Sequence, residues 1–136
     1  MKKVPCDFFG PGEFIYFNYE RLAQLEQSMG PGFSLLGSIH SQVSVAFVAN
    51  AFAIGLAQHH NNAPAIWYTK QMDKLGIERG LSLIAMSRSI LKALVGSGFM
   101  GKTAYYSVFP EEITPAVEEM MAEEEKNVKG TEASPS

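Results

Sequence analysis

The chain has 136 residues, 46% hydrophobic and 18% charged, which is the size and composition of one small folded domain able to bury a core without staples. A single cysteine, Cys6, excludes an internal disulfide and fits a reducing compartment. The net charge of −3 divides into +3 over residues 1–110 and −6 over residues 111–136, a distribution that argues against nucleic-acid binding by charge.

Met1-Lys2-Lys3 imitates the start of a signal peptide. The following Pro5, Cys6, Asp7 and Gly10-Pro11-Gly12 do not supply the apolar stretch a signal needs. Residues 7–17 are rich in Phe, Tyr and Ile around that Gly-Pro-Gly turn. They predict a short strand near Glu13 to Phe17, with a partner strand before the turn.

The first helix has marked ends. Asn18 is its N-cap, Glu20 lies in its first turn, Gly30 is the C′ residue and Pro31 stops it. Leu22, Leu25 and Met29 form its buried stripe, with Glu26 at the edge.

From Gln27 to Thr69, 43 residues pass without Asp, Glu, Lys or Arg. So long an uncharged run points to a segment packed on several sides. Residues 33–40 read as a short helical turn or loop. Ser41 then caps a helix to about Gln58. At about 100° per residue, Val45, Val48, Phe52 and Leu56 form one bulky stripe, and Val43, Phe47 and Ile54 an opposed one. Small residues fill both flanks, as in a central helix approached closely by its neighbours. It is too short for a bilayer, which asks for about 20 apolar residues.

Asn62 and Pro64 mark the next helix start. Tyr68, Met72 and Leu75 make its stripe, and Gly76 is its expected stop. Trp67 points off that stripe, either as a second core contact or as a partner anchor. A further helix spans about Leu81 to Val95. Leu83, Ile84, Ile90, Leu91, Leu94 and Val95 share one face, with Arg88 and Lys92 opposite. After Pro110, Thr114-Pro115 opens a last helix with a thin apolar edge of Val117, Met120 and Met121. It is expected to fray after Glu125, and Asn127 to Ser136 to be disordered. The fold class expected is mainly α, with a short N-terminal β element. A helical domain over 1–110 precedes an acidic helix and tail over 111–136.

Gly96 to Thr103 matches the Walker A spacing, in which Lys102 would reach phosphates and Thr103 magnesium. The motif needs a preceding strand, and here a helix precedes it. Neither Asp7 nor Asp73 ends an apolar strand as a Walker B aspartate does. His40, His59 and His60 lack sequence neighbours to complete a zinc site. Cys6 has no base partner in sequence. No catalytic, cofactor-binding or metal-binding residues are assigned. The candidate partner or self-association surface is Val43, Phe47, Ile54 and Trp67, and the structural caps are Asn18, Gly30, Ser41 and Gly76.

The aromatic strand-like lead, then Leu22-x-x-Leu25-Glu26-x-x-x-Gly30, then a mostly helical run containing Gly55-Leu56, resembles the tail assembly chaperones of long-tailed bacteriophages. The resemblance covers about Gly12 to Gly101. It implies a non-catalytic protein of the host cytoplasm that binds the tape measure protein, helps recruit tail tube subunits and is absent from the finished virion. It also implies a longer frameshifted form, this chain being the short one. Self-association is expected separately, through the second helix. No cofactor, nucleic acid or membrane partner is implied. The competing expectations are a nucleotide-binding protein using residues 96–103 and a head–tail connector retained in the particle.

Overall fold

The computed structural model describes residues 2–39 and 43–132. The chain is mainly helical, with a two-stranded antiparallel hairpin at its start. Strand β1 (Val4–Pro5) pairs with β2 (Phe14–Ile15), with Val4 opposite Ile15 and Pro5 opposite Phe14. The helices are α1 (Tyr19–Met29), α2 (Leu35–Ile39), α3 (Val45–Gly55), α4 (Ala65–Arg79), α5 (Leu83–Gly96), α6 (Lys102–Val108) and α7 (Pro115–Glu132). A 3₁₀ turn at Pro110–Glu112 separates the last two.

The chain divides into two compact units, one ending at Phe99 and the other beginning at Met100. The break falls earlier than the expected 110/111 boundary. Residues 102–112 fold on themselves: the Tyr105 ring lies tilted, 4.9 Å from the Phe109 ring, and its hydroxyl donates to Glu112 at 2.9 Å.

In the first unit α3 is central, packing against α1, α4 and α5, while the hairpin packs on α5. Val48, Phe52 and Leu56 are fully buried along α3, each worth about 1.5–3 kcal/mol of apolar burial. Ala51 and Gly55 are buried on a flank of the same helix, so small residues do admit close neighbours there. Gly55 faces β2 so closely that an added Cβ would overlap the Ile15 side chain and lie 3.0 Å from Phe17 Cζ.

Local chemistry sets the helix ends. Asn18 Oδ1 accepts the Arg21 amide at 2.9 Å, and Gly30 closes α1 at φ 92° with its amide on the Gln27 carbonyl. Glu26 accepts the Leu35 amide at 3.3 Å and so anchors the start of α2. Ser82 caps α5 through the Ala85 amide, and Thr114 caps α7 through the Val117 amide.

Three expected boundaries are corrected. Ser44, not Ser41, caps α3, its hydroxyl accepting the Phe47 amide at 3.1 Å. Ser41 and His40 lie outside the described residues. Gly76 does not end α4, which continues to Arg79. The stop is Gly80 at φ 65°, and the Leu75 carbonyl accepts both the Gly80 amide and the Leu81 amide. A left-handed residue followed by that six-residue closure is the glycine-dependent way to finish a helix. Finally, α7 continues beyond Glu125 to Glu132.

A polar knot fastens the hairpin to the C-terminal end of α3. The Arg21 guanidinium donates to the Gly55 carbonyl at 3.1 Å and to Gln58 Oε1 at 2.7 Å, and lies 3.8 Å over the Tyr16 ring. Gln58 in turn donates to the Phe14 carbonyl at 2.7 Å. The Phe14 amide donates to His59 Nε2 at 3.0 Å, and Glu13 Oε1 lies 2.7 Å from His60 Nε2. The adjacent histidines therefore diverge, as their spacing requires. Each serves the β2 edge.

Candidate partner-binding groove

An open apolar groove of about 310 Å³ runs between α4, α5 and the first turn of α3. Met72 of α4 and Met86 of α5 form its buried floor. Val45, Gly76, Ile77 and Leu83 line its walls. Val45 is 51% exposed and Ile77 85% exposed, and nearby in sequence Ile66 and Ile84 also stand in solvent. Large aliphatic side chains so exposed, beside a concave apolar surface, are the usual mark of a protein contact. Thioether floors adapt to differently shaped side chains.

Gly76, misread as a helix stop, has a defined place here. A glycine inside a helix costs about 1 kcal/mol relative to alanine. It lies on the groove wall, and a Cβ there would meet only the Leu81 carbonyl at an ordinary 3.7 Å. The residue is therefore not required by crowding. Its lack of a side chain keeps the groove wide.

The sequence-derived surface residues do not come together as one patch. Phe47 is buried in its own chain, 4% exposed and 5.9 Å from the Phe33 ring, so it is not a free anchor. Val43 precedes the Ser44 cap and thus lies off the α3 wheel, which removes the Val43/Phe47/Ile54 stripe. Ile54 is half-buried. Trp67 is half-buried in an aromatic cluster, 4.9 Å from Tyr68 and 5.2 Å from His60.

Two groove residues escape the sequence reading for different reasons. Ending the third helix at Gly76 hid Ile77. Val45 shares the wheel face of the buried Val48 and Phe52, but it opens the first turn of α3 and stays 51% exposed. Ile84 was assigned to the buried face of α5 but is 66% exposed. The signal that would have found the first was Gly80, a second stop glycine one turn beyond an isoleucine.

The Walker-like run joins the end of α5 to α6, with Gly98 at φ 86° and Gly101 at φ 91°. It is a helix–loop–helix, whereas a phosphate-cradling loop follows a strand. Cys6 is buried, and burial pushes its thiol up despite a Ser89 hydroxyl 3.7 Å from the sulfur. A raised thiol is a poor nucleophile. The Tyr68 hydroxyl is buried without a hydrogen-bond partner among the described residues, and burial pushes its phenol far above the ordinary range. Among the described residues no three His, Cys, Asp or Glu gather as a metal site, and no helix is long and apolar enough to cross a membrane.

Compared with protein-family models, curated proteins and solved structures, the chain has no match.

Proposed function

We propose that this chain is a non-catalytic tail assembly chaperone of long-tailed bacteriophages, which binds the tape measure protein and helps recruit tail tube subunits. The observation that carries the reading is the open groove with its methionine floor and exposed Val45 and Ile77. A long apolar helix waiting for assembly needs such a surface, and an amphipathic helix docks in a groove through residues spaced by one turn. The helical organisation around Leu22, Leu25, Glu26 and Gly30, on which the resemblance rests, agrees with it. On this reading the protein works in the host cytoplasm and leaves before the virion is complete.

Co-expression with the tape measure protein of the same genome tests the proposal. The expected result is a soluble complex that co-purifies. Gly76→Leu, which fills the groove from an exposed position, should abolish co-purification while the circular dichroism spectrum stays helical. A folded Gly76→Leu variant that still binds would sink the groove reading. Mass spectrometry of purified virions separates the chaperone from a head–tail connector. A chaperone is missing from the particle, and a connector is present at fixed copy number.

A further inference from the structure

The solvent face of α4 carries a pattern that complements itself. Ile66, Lys70, Asp73 and Ile77 are spaced by four, three and four residues. That spacing places all four within an arc of about 60°, opposite the buried Tyr68, Met72 and Leu75. All four are exposed, Ile66 at 62% and Ile77 at 85%. The stripe is about 16 Å long.

Laying a second α4 antiparallel on the first, with Ile66 against Ile77 of the second copy, fixes the rest of the register. Lys70 then falls against Asp73 of the second copy, and the two-fold axis repeats both contacts. Two isoleucine pairs bracket two reciprocal ion pairs. This is the layer pattern of a heptad seam, and a two-fold contact requires just this self-complementarity. The parallel arrangement would set Lys70 against Lys70 and Asp73 against Asp73, so the charges select one orientation.

We propose that α4 is a self-association face whose partner is a second copy of this chain, docked antiparallel about a two-fold axis. The face stands on the residues of α4 alone and does not depend on the chaperone reading. It also replaces Val43 and Phe47, one outside the helix and the other buried, as the site of self-association.

Sizing with light scattering tests it. The wild type should run at twice the 14.9 kDa chain mass in the micromolar range. Lys70→Asp alone or Asp73→Lys alone sets like charges together and should weaken the dimer on the order of tenfold. The combined Lys70→Asp/Asp73→Lys variant restores opposite pairs and should return to within a few-fold of wild type. Ile77→Ser should weaken the dimer by roughly a hundredfold, since both copies lose a buried side chain. Circular dichroism and thermal melting confirm that each variant is folded. A wild type that is monomeric or of odd stoichiometry overturns the proposal. So does a folded double swap no better than the single variants. Asp73 and Ile77 also line the groove, whereas Lys70 does not, so Lys70→Asp is the variant in which loss of dimer and loss of client binding are read separately.

Discussion

Gly55, at the end of α3, lies directly against Ile15 of β2, with no room for a Cβ between helix and strand. The Gly55 carbonyl meanwhile accepts the Tyr16 amide at 3.4 Å and the Arg21 guanidinium at 3.1 Å. One glycine thus joins the central helix, the hairpin and α1.

Gly55→Ala is therefore expected to destabilise the first unit by roughly 1–3 kcal/mol through overpacking. Urea unfolding monitored by Trp67 fluorescence reads the change as a lower midpoint. An unchanged midpoint would mean that Ile15 moves aside at little cost.

Arg21→Lys should cost about 1–2 kcal/mol although the charge is kept. The guanidinium makes its bonds to Gly55 and Gln58 while lying flat over Tyr16, and an ammonium cannot do both. Thermal melts of Arg21→Lys and Arg21→Met decide the point. Near-equal losses are expected, whereas full stability of the lysine variant would show that charge alone suffices.

Alkali should weaken the fold through two phenols held above their ordinary range. Burial first, then the Glu112 hydrogen bond and charge, pushes Tyr105 up to about 12 from the ordinary 10. The native state thus holds a proton that the unfolded chain releases. The contribution is complete below pH 10 and is lost as pH rises toward 12. Tyr68, raised by burial, acts in the same direction. Tyr105→Phe should flatten the fall in melting temperature between pH 10 and 12, and absorbance titration should show one fewer late-ionising tyrosine.

Much of the fold was legible because helix ends are written in local chemistry. Asn18, Gly30 and Thr114-Pro115 act where the sequence places them, since a cap needs only its own side chain and an amide three residues on. The strand pair around the Gly-Pro-Gly turn was legible for the same reason. Gly76 and Gly80 were not separable by residue type. The carbonyl of Leu75 and the continuing helix decide between them. The serines at 41 and 44 posed the same ambiguity, and the later start leaves Val43 outside α3 and Val45 in its first turn.

The sequence by itself determined a mainly helical chain, a central uncharged helix, an acidic last helix and several caps. These follow from periodicity and from bonds made within a few residues. Only the tertiary structure decided which apolar residues stay wet. Burial depends on what packs opposite, and no wheel records that α4 and α5 leave a gap over Met72 and Met86. It likewise gave Glu26, His59 and His60 their partners, contributed by other elements. The same packing turned Gly76 from a presumed stop into the open wall of a groove, because only a folded neighbour can show what a missing side chain leaves room for.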